Sequence, residues 1–269
     1  MTSTTTLRQQ GVATPSADAG TGPAAGGRTV AGVAAAPHPR TGAPSDAPAS
    51  TAAEPVGERA VGHGPDSPDE RFAQRLAGRP SAEVLIRRVV GQETAHLPAA
   101  LAAVVEQGSL PQAAALVVAA RRRYVAGTAK SLAYATLLAA DLSVGLSHVH
   151  LVDDATVRAL DVLAEVAPTD VLVAFSFRRY RRETVALARA FVAAGGTLVA
   201  ITDDVDAPLA AVAHQTVVVN TDSASFVDSP TAVVAVSHLL ATLAAASAKG
   251  ARRRIAARDE LAADLDLYL

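Results

Sequence analysis

Five short apolar runs, each followed by a segment with helical periodicity, recur between residues 123 and 220. This alternation constrains the fold strongly, because strands that alternate with helices build a parallel sheet with helices on both faces. One run, DVLVAFS, is apolar without a break, which is typical of a strand buried on both faces. We therefore predict a doubly wound α/β fold, a three-layer sandwich around a five-stranded parallel sheet. The predicted strands are RYVAG (123–127), HVHLV (148–152), DVLVAFS (170–176), TLVAIT (197–202) and QTVVVN (215–220).

Helix boundaries are marked by capping residues. Ser109 and Ser229 stand at N-cap positions, and a proline follows each of them within the first turn. Gly108 and Gly145 supply C-terminal caps. The predicted helices cover 81–92, 94–107, 109–122, 129–145, 154–166, 181–195, 207–213, 229–248 and 251–266.

The two ends of the chain differ in composition from this α/β region. Residues 1–70 contain nine of the 15 prolines, 10 of the 18 glycines and no Phe, Tyr or Trp. Such a segment lacks the apolar surface that would offset its ordering entropy. We predict a disordered tail over 1–70, a helical lead-in over 71–122, the α/β domain over 123–248, and a charged helix or tail over 249–269.

Composition excludes several kinds of site and partner. The chain has no cysteine, so disulfides, thiolate zinc sites and cysteine nucleophiles are ruled out. No apolar segment reaches the ~18 residues that a membrane span needs. Two lysines accompany 22 arginines, a bias that GC-rich codons produce, and we expect a cytoplasmic bacterial protein. From residue 71 onward 20 basic residues face 19 acidic ones, unlike a domain held on DNA by phosphate contacts.

The loops after the strands are the expected ligand site. In a doubly wound sheet, ligands bind beyond the carboxyl ends of the strands, near the switch in strand order. The helices that follow direct their unpaired amide groups toward the same region, which favours an anion. Gly, Ser, Thr, Asp and Arg are frequent in these loops, which cover 126–131, 153–154, 176–181, 202–206 and 220–229.

Four arginines follow the third strand within five residues. Arg178 and Arg179 precede the helix, where we expect them to contact an anion through their planar donors. An internal or intersubunit salt bridge and plain solvation are the alternatives. For Arg181 and Arg182, on the helix itself, we expect solvent.

For the other polar residues in these loops, the sequence leaves two roles open. Ser131 and Ser176 either contact a ligand phosphate or cap the helices that follow. Lys130 is either a cation of the pocket or a solvated side chain. The aspartate pairs 153–154 and 203–204 cap helices or bind sugar hydroxyls, whereas His214 and His238 are expected to be structural.

A long part of the chain resembles a known family. The succession from RYVAGTAKSLAYATLLAADLSVGLSHVHLVDD to TDVLVAFSFRRYRRETVALARAFVAAGGTLVAITDDVDAPLAAVAHQTVVVNT resembles a SIS domain, the flavodoxin-like phosphosugar-binding fold of sugar isomerases. It is most similar to the SIS half of RpiR/MurR-type bacterial transcriptional regulators, over residues 84–248. The resemblance implies a homodimer that binds a sugar phosphate or similar small anion without a cofactor, in a sensor or regulatory role.

Two family motifs carry the resemblance to individual residues. The G-x-G-x-S loop is represented by residues 127–131, with Ala129 in place of the second glycine. The S-x-S-G-x-T-x-E loop is represented by residues 176–183, with arginine at its inner Ser, Gly and Thr positions. The predicted ligand-binding set is Gly127, Thr128, Ser131, Ser176, Arg178, Arg179 and Thr202. Gly127, Ser131 and Ser176 match the motifs, whereas Arg178 and Arg179 depart from them and are included for their planar donors.

Regulators of this type carry an N-terminal helix-turn-helix domain where this chain has its Pro/Gly/Ala-rich segment. We therefore expect no direct binding of nucleic acid without a partner. A non-enzymatic binding role is the leading hypothesis, because the loops offer no clear catalytic acid–base pair. One alternative is a sugar-phosphate aldose–ketose isomerase, for which Glu183 is the candidate general base. Another is an interaction scaffold whose pocket is filled by arginine. His148 and His150 lack an evident third ligand, so we predict no metal site.

Overall fold

A computed structural model describes residues 67–269. The predicted disordered tail lies outside these residues over positions 1–66. Residues 68–70 belong to helix α1 (Pro68–Leu76). The helix begins there because the Ser67 hydroxyl accepts from the Glu70 amide, while the Glu70 carboxylate accepts from the Ser67 amide. This capping box satisfies two amides at the start of the helix.

Five strands form one all-parallel sheet in the described residues, in the order β2-β1-β3-β4-β5, which confirms the predicted α/β fold. Central strand β3 is completely buried, as its continuous apolar run predicts. The chain passes from β1 outward to β2 and then returns to β3 on the other side of β1. The strand order therefore switches between β1 and β3, and a ligand site is expected at their carboxyl ends. The strands are β1 (Arg122–Gly127), β2 (Val149–Val152), β3 (Asp170–Phe175), β4 (Thr197–Thr202) and β5 (Gln215–Val218).

Helices cover both faces of the sheet. Side chains alternate along β3: Val173 and Phe175 enter one core, and Leu172 enters the other. The first core is covered by α2 (Ala82–Gln107), α3 (Ser109–Ala119), α4 (Lys130–Gly145) and α7 (Thr231–Ser247), and α8 (Ala251–Asp264) packs on α4 and α7. The second core is covered by α5 (Ala159–Ala164), α6 (Arg182–Ala193) and a 3-10 turn at Ala210–Val212. Within residues 67–269 no single helix has the length and hydropathy to cross a membrane. Two bent pairs of helices, α2 with α3 and α7 with α8, have that length and hydropathy only when the two helices are taken together.

Helix α2 is continuous, so the prediction of two helices over 81–92 and 94–107 was wrong. No strong helix breaker stands at their junction, and Pro98 lies inside the helix instead. Proline removes one backbone hydrogen bond and crowds the preceding turn. Burial of Ala100 and Val104 in the core shared with α7 keeps the helix intact.

Helix α5 is shorter than the predicted span of 154–166. The Asp153 carboxylate accepts hydrogen bonds from the amides of residues 155–157, at 2.7–3.1 Å, which fixes a turn where the helix was expected. Asp154 then accepts from the amide of Ala159, the first residue of α5, at 2.9 Å. Both aspartates therefore organise the backbone, the capping alternative for this pair.

The free edge of β5 is covered by one side chain. The side chain of Gln107 donates through Nε2 to the Val218 carbonyl at 3.1 Å, and its Oε1 accepts from the Val218 backbone amide at 3.2 Å. Gln107 is the last residue of α2, so the helix end pairs with an edge strand as a neighbouring strand would. An unpaired strand edge is a template for association with other chains, and this contact blocks part of it.

Candidate functional site

A cavity of about 580 Å³ opens at the carboxyl ends of β1 and β3, at the switch in strand order. Its walls come from the loop after β1, the loop after β3, the start of α1 and the loop before α7. Among the predicted site residues, those lining it are Thr128, Ser131, Arg178 and Arg179, together with the candidates Lys130, Arg181, Arg182 and Glu183.

The loop after β1 has a backbone conformation that usually requires glycine. Ala129 has φ 54° and ψ −124°, the values of the first central residue of a type II′ turn. A Cβ on Gly127 would lie 2.5 Å from the Ser131 carbonyl oxygen, so only glycine fits there. The Ser131 and Leu132 amides donate back to the carbonyls of Thr128 and Ala129. Two amides at the start of α4 are thus already used, which leaves anion binding to rely more on side chains.

The loop after β3 also holds a residue in the left-handed region. Arg179 has φ 64° and stands where the family motif has glycine. Ser176 is buried, and its hydroxyl has no hydrogen-bond partner among the described residues. The turn is anchored by the buried Asp203 carboxylate, which accepts from the Arg178 amide at 3.1 Å.

The four arginines of this loop differ in their partners. Arg178 pairs with Asp203, with Nε 3.6 Å from Oδ2, so it has the internal salt bridge that was one of its alternatives. Arg179, Arg181 and Arg182 are exposed and line the cavity. No side-chain hydrogen bond or ion pair joins any of these three to another residue that the structure describes. Three guanidinium groups therefore remain available to an anion.

On the wall formed by α1 and the loop before α7, Asp228 contacts two cations. Its carboxylate forms an ion pair with Arg71 of α1, and its carbonyl accepts from the Lys130 ammonium. Lys130 is exposed as a residue, yet desolvation around its ammonium lowers its pKa, despite the opposing charge of Asp228. Lys130 therefore both lines the cavity and joins α4 to the loop before α7.

The remaining predicted ligand residues lie outside the cavity lining. Gly127, Ser176 and Thr202 are buried at the ends of β1, β3 and β4. Thr202 contacts Asp203 at 3.4 Å. Of the two predicted ligand hydroxyls that line the cavity, Thr128 is paired with Thr184 at 2.9 Å, whereas Ser131 has no side-chain partner among the described residues. Ser131 thus has the free hydroxyl on this wall.

Two tyrosines add neutral hydroxyl groups to the cavity. Burial, reinforced by the charge of Asp228, raises the pKa of Tyr134 to about 12. Burial, together with the charge of Asp203 and a hydrogen bond to it, also raises the pKa of Tyr180. Both phenols are protonated at neutral pH. Tyr134 can donate to a ligand, whereas the single O–H of Tyr180 is already donated to Asp203, and neither phenol can act as a base.

The acid–base candidates are sparse. Glu183 is exposed in the first turn of α6 and lines the cavity. Asp228 is the other carboxylate in the described lining. His214 accepts from the Leu198 amide through Nδ1 at 3.1 Å, which is a structural role. Within residues 67–269 no three His, Cys, Asp or Glu side chains come together as a metal site.

Sequence reasoning did not single out Arg71, Tyr134, Tyr180 or Asp228, although Tyr180 and Asp228 lie in loops that were expected to form the site. Arg71 lies at the boundary between the predicted tail and the helical lead-in. The signal that could have found it is Ser67-Pro68-Asp69-Glu70, a capping box with proline at the first helical position. That pattern places the start of a helix at residue 68 and Arg71 in its first turns.

Comparison with known proteins gives a consistent fold assignment. Residues 116–245 match the family described as SIS domain. The sugar isomerase domain of an RpiR transcription factor from Sphaerobacter thermophilus superposes with a TM-score of 0.59 and 24% identity, over 68% of this chain and 99% of that one. The Vibrio vulnificus NanR protein, solved with ManNAc-6P, superposes with a TM-score of 0.56 and 15% identity, over 68% of this chain and 73% of that one. No curated protein matches the chain in sequence.

Proposed function

We propose, on the premise that residues 116–245 are a SIS domain, that this protein binds a sugar phosphate or a similar small anion and acts as a sensor or regulator. The charge of the cavity carries the proposal, because six cationic side chains face two carboxylates. A concave site lined by one sign of charge concentrates ligands of the opposite sign. The cations are Arg71, Lys130, Arg178, Arg179, Arg181 and Arg182, and the carboxylates are Glu183 and Asp228.

Side chains of the loop after β3 would bind the phosphate. Arg179, Arg181 and Arg182 have no partner within the described chain, and an arginine fork suits phosphate oxygens. The Ser131 hydroxyl, in the first turn of α4, lines the same cavity. The ManNAc-6P bound by the Vibrio vulnificus NanR protein is a ligand of the proposed class.

A cytoplasmic homodimer would change its association with a partner when the cavity fills. Contact with nucleic acid, if the output is transcriptional, would come from that partner. The similarity in fold to the RpiR sugar isomerase domain motivates the regulatory part of the proposal.

Binding is tested by thermal denaturation and calorimetry of the full chain. The probes are N-acetylmannosamine 6-phosphate, glucose 6-phosphate and inorganic phosphate, each sugar phosphate being paired with its unphosphorylated sugar. We expect the phosphorylated compounds alone to raise Tm, since only they bring a dianion to the arginines. The double variant Arg179→Ala/Arg181→Ala should abolish the shift. Arg189→Ala, an exposed arginine of α6 outside the cavity, should leave it unchanged.

Two results would count against the proposal. Equal stabilisation by a sugar phosphate and its free sugar would show that the arginines are not the binding groups. If no anion raises the Tm of the wild type or of the variants, an interaction scaffold whose cavity binds no ligand would be favoured.

The isomerase alternative depends on Glu183, which reaches the cavity without an ion pair to another described residue. It requires deuterium from the solvent to appear at the carbon next to the carbonyl of a sugar phosphate. That exchange would be lost in Glu183→Gln while binding persisted. Binding without exchange is the result that our proposal expects.

A further inference from the structure

Helix α1 precedes the matched SIS region and still reaches its cavity. The helix spans Pro68–Leu76, whereas the family match begins at residue 116. Both Pro68 and Arg71 line the cavity. Three contacts hold α1 to the loop before α7: Arg71 with the Asp228 carboxylate, Arg75 with the carbonyls of Ser223 and Ser225, and the Phe72 ring edge-on to Phe226 at 6.0 Å.

Arg71 is the buried cation of this wall, and its hydrogen bonding is incomplete. Its side chain is 10% exposed, and Nη1 donates to Asp228. Nε is buried and has no hydrogen-bond partner among the described residues. A guanidinium has five donors in a fixed fork, and native proteins rarely leave a buried donor unpaired.

We propose that Arg71 is an anion-binding residue, delivered to the cavity by a helix outside the SIS domain. Asp228 holds one side of the guanidinium and fixes its orientation. The phosphate of a ligand accepts from the donors that Asp228 leaves free, so a phosphate monoester is the class that Arg71 recognises. This inference rests on the proposed function of the same cavity.

The position of Arg71 also makes α1 sensitive to the ligand. A phosphate that binds Arg71 stabilises the docked position of α1. By linkage, docking of α1 then strengthens phosphate binding by the same factor.

The test is calorimetric titration of the full chain with inorganic phosphate and glucose 6-phosphate. Arg71→Ala should weaken both affinities about tenfold or more, the loss expected for a charge-assisted hydrogen bond. Arg71→Lys keeps the charge but lacks the fork, and should recover only part of the affinity. Should the alanine variant fail to fold, the lysine variant alone must still weaken binding.

Two other arginines separate contact from docking. Arg75→Ala removes two bonds that hold α1 but no group lining the cavity, so it should weaken binding less than Arg71→Ala. Arg79→Ala removes an exposed charge beyond α1, and should change affinity by less than about twofold. Amide exchange over residues 68–76 should slow on adding phosphate in the wild type and not in Arg71→Ala.

Each outcome has a distinct meaning. If the wild type binds neither probe, the proposed function fails and this inference with it. If the wild type binds and Arg71→Ala binds equally well, the inference alone is overturned. Equal weakening by Arg71→Ala and Arg75→Ala would also overturn it, because Arg71 would then act only by holding the helix.

Discussion

At the scale of single residues, two cavity positions keep a backbone that suits glycine while carrying side chains. Ala129 has φ 54° and Arg179 has φ 64°, and both stand where the SIS motifs have glycine. Each such residue costs about 1–3 kcal/mol and persists only where its surroundings enforce it. The two loops therefore hold their turns without glycine, and the loop after β3 presents guanidinium groups to the cavity.

We predict that Ala129→Gly stabilises the protein. Relief of the strained φ should exceed the entropy that glycine adds to the unfolded chain, for a net gain of about 1 kcal/mol. Thermal denaturation should show Tm rising by about 2–4 °C. Ala133→Gly, at an exposed position in the helix α4 that follows this turn, is the control and should lower stability by about 1 kcal/mol. A loss of stability in Ala129→Gly would mean that the turn is not strained.

Sequence alone located these two loops but not their chemistry. The motif spacing placed residues 127–131 and 176–183 correctly at strand ends, because strand and helix patterns bracket them. It did not reveal that Arg178 would pair with Asp203, 25 positions away, or Arg71 with Asp228, 157 positions away. Such pairings depend on three-dimensional packing, which leaves no local pattern in the sequence.

At the scale of elements, β1 and β3 are joined at their amino ends by an ion pair between a buried carboxylate and a partly exposed guanidinium. Arg122 and Asp170 are register partners, and the Arg122 guanidinium donates to both carboxylate oxygens at 2.7–3.2 Å. Burial opposes ionisation of Asp170, but the hydrogen bonds from Arg122 and from the Ala167 amide outweigh it and lower its pKa. This pair fastens the two central strands at the end of the sheet opposite the cavity.

The sign of this pKa shift predicts a pH dependence. Because the folded pKa of Asp170 is lowered, its stabilisation is present above the unfolded value of about 3.9 and is lost as pH falls below it. We expect Asp170→Asn to cost about 3 kcal/mol at neutral pH, with the difference from wild type shrinking in acid. Urea denaturation across pH measures both. Asp161, which forms an exposed ion pair with Arg158, supplies a control. Asp161→Asn should change stability by less than about 1 kcal/mol.

A second element-scale prediction concerns the edge of the sheet. Gln107→Leu removes the side chain that pairs with both backbone groups of Val218. We expect a loss of about 1–2 kcal/mol and a greater tendency to aggregate, measured by urea denaturation and light scattering. Gln112→Leu, exposed on α3, adds a similar apolar surface without touching β5. If both variants aggregate alike, the cause is surface hydrophobicity and not the open edge.

Element types followed from sequence where burial leaves a periodic or continuous apolar signal. The three central strands β1, β3 and β4 are almost entirely buried, and the edge strands β2 and β5 are partly buried, so each strand left an apolar run. The errors arose where polar side chains or packing override propensity. Asp153 and Asp154 replaced a helical turn with side-chain hydrogen bonds, and packing on α7 carried α2 through Pro98.

At the scale of the whole molecule, charge is distributed unevenly around a nearly neutral total. The full chain has a net charge of −2, yet its cavity has an excess of cations. Composition therefore argued against a nucleic-acid surface and gave no sign of a local anion site. Four of the six cavity cations are neighbours in the loop after β3, and the fold adds Arg71 and Lys130 from other parts of the chain.

This local charge predicts a salt dependence. Raising NaCl from about 0.05 M to about 0.5 M should weaken sugar phosphate binding about tenfold, because screening shortens the reach of the exposed arginines and chloride competes for them. Calorimetric titration at several salt concentrations measures the slope. An affinity independent of salt would indicate that binding rests on the sugar and not on the phosphate.

Helix α1 is connected to the rest of the described chain by residues 77–81. That short tether holds Arg71 at an effective concentration on the order of a millimolar near its site. A single backbone cleavage in the tether would turn an intramolecular contact into a bimolecular one without removing any atom of the cavity. The cleaved protein should then bind phosphate more weakly, and excess of the released fragment should restore the affinity.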